Sequence, residues 1–182
     1  MNLQQLRWLF LMMIALAMPT AAQSNTIIAV QSDVTDVQTG TYYPVTVFVK
    51  DVEEVWQINA ELEYDPNLVY VVGTISGSPF APGDFFSGDP GIVIRNTVTA
   101  GHMTYTHSLV APAESKSGSG VIATFQIYPL SAGTTQIRFT AADLTRVTYT
   151  QGEDGTRNLQ STENLPVLPA LIELNITGET VP

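Results

Sequence analysis

Apolar and polar residues alternate without a break between Trp56 and Tyr64, and this pattern constrains the fold more than any other stretch of the chain. Side chains point alternately to the two faces of a β-strand, so the pattern predicts a strand with one buried and one polar face. The predicted buried face carries Trp56, Ile58, Ala60, Leu62 and Tyr64, and the polar face carries Gln57, Asn59, Glu61 and Glu63. The turn-forming sequence Asp65-Pro66-Asn67 ends this strand.

The rest of the sequence predicts strands and turns, without helical periodicity. A partner strand follows at 68–75, where β-branched and aromatic residues dominate. Further strands are predicted at 27–30, 44–52, 92–98, 102–110, 121–128, 134–141, 146–150 and 168–176. About nine strands separated by turn signals indicate an all-β fold, arranged as a two-sheet β-sandwich.

Two segments between the strands are rich in small residues. Residues 76–90 contain Phe80, Phe85 and Phe86, whose rings would either cap the core or face a ligand, and capping is the commoner outcome. Residues 111–120 are rich in Ser, Gly and Ala and are expected to form an exposed loop. Neither segment indicates a domain boundary, because the strand pattern resumes directly after each.

The first 22 residues carry a different signal. They contain one basic residue, Arg7, an apolar run from Trp8 to Met18, and small residues at Thr20 and Ala22. This order predicts a secretory signal peptide cleaved after Ala22, since the run is shorter than the roughly 20 residues that a membrane-spanning helix needs. The mature chain, 23–182, is then expected to be a single extracellular domain without a membrane span.

Charge and cysteine content exclude several classes of function. Without Arg7, six basic residues remain against 17 acidic ones, a formal charge of −11. So acidic a chain repels phosphate groups, which excludes nucleic acid and anionic membranes as expected partners. A neutral polysaccharide environment or a protein with a basic patch fits this charge, and solubility alone explains it equally well. The chain has no cysteine and therefore no disulfide.

Four stretches taken together resemble cohesins, the secreted modules that dock to dockerins in cellulosome-type assemblies. They are VTVFV at 45–49, WQINAELEYDPNLV at 56–69, GSGVIATFQI at 118–127, and the strand 134–141 ending near Ala142-Asp143-Leu144. Their order and approximate spacing are similar to those of the family across nearly the whole mature chain.

The resemblance implies a nine-stranded jelly roll whose first and last strands lie together, with no catalytic activity and no cofactor. It also implies that a dockerin lies across the polar face of Gln57, Asn59, Glu61 and Glu63, with neighbouring strands adding Arg95, Thr104, Thr106, Arg138 and Thr140. Some cohesins have Asn and Asp at the first two of these positions, where this chain has Gln57 and Asn59, so the type of dockerin is left open. The partner would carry its own calcium, because this chain has no D-x-N-x-D-G loop. From periodicity alone, a solvated strand face is the better explanation of these residues.

Enzyme chemistry and metal binding are not predicted. Glu61 and Glu63 lie about 6.6 Å apart on one strand face, a spacing from which two carboxylates can hydrolyse glycosides, but such pairs are usually surface charge. His102 and His107 are five residues apart, which sends them to opposite faces of a strand and argues against a shared metal ion. His107 is better explained as a core or edge histidine.

A carbohydrate-binding module is the main alternative, because it shares the sandwich, the secretion signal and the acidic composition. Such modules hold sugars through exposed aromatic rings. The candidates are Tyr42, Tyr43, Tyr70, Tyr149 and the three loop phenylalanines, whereas the phase of Trp56 places it in the core. The sequence shows no planar row among them. A structural surface or adhesion module is a third alternative.

Overall fold

The structure is a computed structural model that describes residues 26–73 and 78–181, so the predicted signal peptide lies outside the described residues. The described residues form twelve strands and contain no helix. In chain order the strands are β1 (Ile27–Gln31), β2 (Asp36–Gln38), β3 (Tyr43–Glu63), β4 (Val69–Val72), β5 (Ala81–Pro82), β6 (Gly91–Thr99), β7 (His102–Leu109), β8 (Lys116–Pro129), β9 (Gly133–Gln151), β10 (Arg157–Leu165), β11 (Leu168–Ala170) and β12 (Ile172–Thr177). The predicted all-β class is confirmed.

The longest strand, β3, belongs to both layers of the fold. Its first half pairs with β1 and β8, and its second half pairs with β7 and β9. The chain changes layers at two positions of positive φ, Asp51 (54°) and Glu54 (53°), where the pairing with β8 is irregular. The hydroxyls of Ser119 and Ser117 accept hydrogen bonds from the amides of Asp51 and Glu54, at 3.0 and 2.9 Å. The two strands predicted at 44–52 and 56–64 are therefore one bent strand.

The two layers pack face to face around an aromatic centre. The ring of Phe80, fully buried, lies 5.2 Å from the ring of Tyr105 on β7 and 5.3 Å from the ring of Phe125 on β8. These two strands belong to different layers, so Phe80 bridges the sandwich. Phe85 and Phe86 are also buried, which confirms for the described residues 78–90 that the phenylalanines cap the core.

The burial pattern of β3 follows the predicted alternation. The inward side chains of its second half and of Tyr64, which directly follows β3, are at most 9% exposed, namely Trp56, Ile58, Ala60, Leu62 and Tyr64. The outward side chains between them are half-buried. The parallel pairing of β1 with β11 and of β2 with β12 brings the first and last strands together, as the resemblance implied.

Three predictions about the strands were wrong. The strand after Asp65-Pro66-Asn67 does not pair with β3, because β7 and β9 occupy both edges of β3 there, and β4 pairs with β8 instead. Residues 116–120 are not a loop but the start of β8, where Gly118 and Gly120 lie opposite the irregular part of β3. The strands predicted at 134–141 and 146–150 are one strand, β9, which forms a long hairpin with β10. Inside the described ranges, no helix is long and apolar enough to span a membrane.

Candidate protein-binding face

The outward side chains of β7, β3 and β9 form one continuous surface, which we call the polar face. Each of the four polar β3 residues between positions 57 and 63 lies between one residue of β7 and one of β9. The triplets are Ser108–Gln57–Thr145, Thr106–Asn59–Asp143, Thr104–Glu61–Ala141 and His102–Glu63–Arg138. Residues directly opposite each other on paired strands share a face, so the predicted residues of β3 and β7 are neighbours in space.

Asn59 is fixed at the centre of the polar face by partners on both sides. The hydroxyl of Thr106 donates a hydrogen bond to Oδ1 of Asn59 at 2.8 Å. The Nδ2 atom of Asn59 donates in turn to Oδ2 of Asp143 at 3.3 Å. This chain of hydrogen bonds sets which side of the amide accepts and which side donates, and it orders the side chains before any partner arrives.

The β7 side of the polar face is closely packed. Thr104 and Thr106 are each 7% exposed, although they point to the outer face. Arg95 on β6 lies opposite Thr106 and is exposed at the edge of the polar face. Two apolar side chains, Ile92 and Ile94, are each 54% exposed on the same edge strand. The polar face therefore has an apolar rim on its β6 side.

A shallow depression crosses the polar face beside Asn59. It is lined by Gln57, Asn59, Ile94, Arg95, Thr106, Asp143, Thr145 and Asn164. The hydroxyl of Thr145 donates to Oδ1 of Asn164 on β10 at 3.3 Å, which extends the hydrogen-bonded surface onto the hairpin. Asp143, Thr145 and Asn164 were not among the residues predicted from the sequence.

At the other end of the polar face, Glu63 forms an ion pair with Arg138. Both side chains are more than a third exposed, so the pair adds at most about 1 kcal/mol to stability. Arg138 and Glu63 are thus neighbours on the polar face, as predicted. The pairing also engages one of the two carboxylates that the sequence suggested as a catalytic pair.

Thr140 does not lie within the register of the polar face. The pairing with β3 shifts between Leu62–Phe139 and Glu61–Ala141, so Thr140 is the extra residue of a β-bulge. A bulge inverts the phase of the residues that follow it. Simple alternation from Arg138 would place the even-numbered residues of β9 outward. Because of the bulge, the odd-numbered Asp143 points outward instead, and Leu144 points into the core.

The two histidines lie on opposite faces, as predicted. His102 is opposite Glu63 on the polar face, whereas His107 is opposite Ile58 on the core side. Nδ1 of His107 lies 3.2 Å from the hydroxyl of Tyr105, and its ring packs against the ring of Phe86. Burial lowers the pKa of His107 and raises the pKa of Tyr105 to about 12. Among the described residues, no group of three or more His, Asp or Glu side chains could hold a metal ion.

No family model and no curated protein sequence matches the chain. Among solved structures, it is similar to the second type II cohesin module from the ScaA scaffoldin of Acetivibrio cellulolyticus, with a TM-score of 0.63, 16% identity, and coverage of 86% of this chain and 99% of that one. The chain has the cohesin fold.

Two further structures support this result. A non-cellulosomal cohesin from the archaeon Archaeoglobus fulgidus matches with a TM-score of 0.60, 15% identity, and coverage of 85% of this chain and 92% of that one. A type II cohesin–X-dockerin complex from Acetivibrio cellulolyticus matches with a TM-score of 0.62, 16% identity, and coverage of 84% of this chain and 100% of that one. The jelly-roll sandwich implied by the sequence resemblance is confirmed. At 15–16% identity the cohesin likeness concerns the fold.

Proposed function

We propose that the chain is a secreted, non-catalytic cohesin module that binds a dockerin-type protein through its polar face. The observation that carries the proposal is a cohesin fold over 84–86% of the chain, in which one layer presents a flat, hydrogen-bonded polar surface on its middle strands. The matching structure with a TM-score of 0.62, from Acetivibrio cellulolyticus, is a complex of a type II cohesin with an X-dockerin. The assembly would serve extracellular polysaccharide breakdown.

The chemistry of the polar face suits the surface of a helical partner. A flat face offering amide, hydroxyl and carboxylate groups can form the roughly ten hydrogen bonds of an ordinary protein interface. Because Thr106, Asn59 and Asp143 already hold one another, little side-chain freedom is lost when a partner binds. The exposed Ile92 and Ile94 add apolar area at the rim.

Charge predicts which residues the partner presents. Glu61 and Asp143 flank Asn59 on this face, and the whole chain has a formal charge of −10. A partner helix with Lys or Arg opposite these carboxylates would associate faster and be oriented by them. Opposite Gln57 and Asn59, which are uncharged, hydroxyl or amide groups are expected. Calcium in such a complex would be carried by the dockerin.

A non-catalytic role fits the carboxylates on the polar face. Glu63 is engaged by Arg138, so Glu61 and Glu63 do not stand as an unpaired acid and base facing a substrate cleft. The surface around them is a shallow sheet face rather than a deep pocket. Binding is therefore the chemistry that these residues suit best.

Calorimetric titration of the purified protein with a panel of calcium-loaded dockerins tests the proposal. We expect saturable binding to at least one dockerin, lost when calcium is chelated. Glu61→Lys should weaken that binding by about tenfold or more, because it reverses a charge at the centre of the face. Glu179→Lys makes the same charge change at an exposed position outside the polar face and should leave affinity unchanged.

The outcomes separate the two parts of the proposal. If Glu61→Lys and Glu179→Lys bind as tightly as the unmodified chain, a dockerin is the partner but the polar face is not the site. If no dockerin binds, the dockerin function is wrong and the polar face has another role. Both variants change exposed or half-buried side chains, so thermal unfolding should show that they fold.

A further inference from the structure

Three tyrosines form a row across the outer surface of the other layer. Tyr70 on β4 lies directly opposite Tyr128 on β8. Tyr43 is paired with Ile127, and the ring of Tyr42, the preceding residue, packs against the ring of Tyr128 with 4.8 Å between centroids. The row Tyr70–Tyr128–Tyr42 therefore runs across β4 and β8 to the residue that directly precedes β3. The sequence suggested Tyr42 and Tyr70 as separate candidates and gave no sign that Tyr128 joins them.

The tyrosine row is accessible at both ends. Tyr42 is 59% exposed and Tyr70 is 56% exposed, which makes them two of the most exposed large apolar side chains described. Tyr128 between them is half-buried, and its ring is inclined by 43° to that of Tyr42. With strands about 4.8 Å apart, the row extends about 10 Å from Tyr42 to Tyr70. Exposed aromatic rings grouped in this way usually mark a binding site.

On its Gln126 side, the surface next to the tyrosine row is uncharged, although the chain is strongly acidic. The adjacent cross-strand positions are Val72, Gln126 and Pro44, and the next are Thr124 and Thr46. None of these residues carries a charge, whereas the chain has 17 acidic and 7 basic residues. The surface offers aromatic rings with amide and hydroxyl groups beside them.

We propose that the tyrosine row and its neighbours Gln126 and Thr124 bind a neutral polysaccharide. A pyranose ring presents a face of C–H groups that packs on an aromatic ring, and its hydroxyls accept and donate hydrogen bonds at its rim. Three rings in a line match consecutive sugars of a β-linked chain better than an isolated small molecule. Nucleic acid, which also stacks on aromatic rings, is repelled by the formal charge of −10.

This site is separate from the polar face and does not depend on it. The inner sides of β8 and β7 meet in the core through Phe80, so the outer sides of the two layers point away from each other. The tyrosine row lies on the outer side of the β8 layer, and the polar face lies on the outer side of the β7 layer. A polysaccharide and a protein partner could therefore occupy the molecule together.

Native affinity electrophoresis in gels containing soluble neutral polysaccharides tests the proposal, with mixed-linkage β-glucan, xylan and hydroxyethyl cellulose as probes and polygalacturonate as an anionic comparison. We expect the purified protein to be retarded by at least one neutral polymer and not by polygalacturonate. Tyr42→Ala and Tyr70→Ala should each weaken the binding about tenfold, and the double variant should abolish retardation. Leu159→Ala removes a similarly exposed apolar side chain on β10, outside both proposed binding surfaces, and should retain it.

Absence of retardation by every neutral polymer, or equal retardation of the double tyrosine variant, would overturn the proposal. Both tyrosines are more than half exposed, so the variants should unfold at nearly the same temperature as the unmodified chain. Calorimetric titration of the double tyrosine variant with a dockerin tests whether the sugar site and the dockerin site are independent. Its dockerin affinity should be unchanged, whether or not sugar binding is lost.

Discussion

Asn59 donates a hydrogen bond to the carboxylate of Asp143, a residue 84 positions later in the chain. Because Thr106 donates to the other end of the same amide, the orientation of Asn59 is set by two strands at once. The central polar group of the proposed binding surface is therefore held by tertiary structure, and its neighbours can be changed to test how much that order matters.

Removal of the Asp143 carboxylate should weaken partner binding more than it weakens the fold. Asp143→Ala leaves Nδ2 of Asn59 without its acceptor, so we expect dockerin affinity to fall by about tenfold in calorimetric titration. The free energy of unfolding should change by less than about 1 kcal/mol, since Asp143 is exposed. Asp143→Asn keeps an acceptor oxygen and should bind with intermediate affinity. Equal affinity for Asp143→Ala and the unmodified chain would show that the bond does not order the site.

Phe80 should be among the most sensitive positions in the core. It is fully buried and contacts an aromatic ring in each layer, so Phe80→Ala leaves a cavity where the layers meet. We expect a loss of about 3–5 kcal/mol in the free energy of unfolding measured in urea. Leu159→Ala, at a position that is 62% exposed, is the control and should cost less than about 0.5 kcal/mol. Similar losses for the two variants would mean that Phe80 does not join the layers.

His107 should make stability fall as the solution becomes acidic. Burial lowers its pKa in the folded state below the ordinary value of 6.5, so the unfolded chain binds a proton more readily than the folded chain. The contribution of His107 is therefore complete above about pH 6.5 and is lost as the pH falls below it. His107→Gln should flatten the decline in unfolding free energy between about pH 7.5 and about pH 5. If the unfolding free energy of His107→Gln declines as steeply as that of the unmodified chain, groups other than His107 cause the decline.

Replacement of Asp51 by glycine should stabilise the folded chain. Its φ of 54° lies in the left-handed region, which costs an ordinary side chain about 1–2 kcal/mol and glycine almost nothing. After the added entropy of unfolded glycine is subtracted, Asp51→Gly should raise the unfolding free energy by about 0.5 kcal/mol. Lys50→Gly, one residue earlier in regular strand, should lower it by a similar amount. If Asp51→Gly and Lys50→Gly both lower the unfolding free energy, the backbone at Asp51 is not strained.

The sequence predicted the position of most strands and which of their faces is buried, because both depend on the pattern of neighbouring residues. The alternation from Trp56 to Tyr64 gave the buried and outer faces of β3, and the strands predicted at 92–98 and 102–110 correspond to β6 and β7. Pairing partners were harder to predict. The sequence of β4 contains nothing that favours β8 over β3, because the choice is made by which edges other strands already occupy.

The polar face was predicted in part for a related reason. Residues of β3 and β7 keep a regular register, so Asn59 and Thr106 could be placed on one surface from alternation. The bulge at Thr140 breaks the register of β9, which is why Thr140 was predicted and Asp143 was not. The tyrosine row shows the same limit, because its three members are far apart in the sequence and only the pairing of β4, β8 and β3 brings them together.

The parallel pairing of β1 with β11 and of β2 with β12 also determines how the molecule responds to tension. When two parallel strands are pulled at the start of one and the end of the other, the force runs along them in shear. All hydrogen bonds of the pair then resist together, whereas a hairpin pulled from its open end separates one bond at a time. A pull between Thr26 and Thr177 would load both pairs in this way, so we expect the domain to resist stretching along the direction of its own chain.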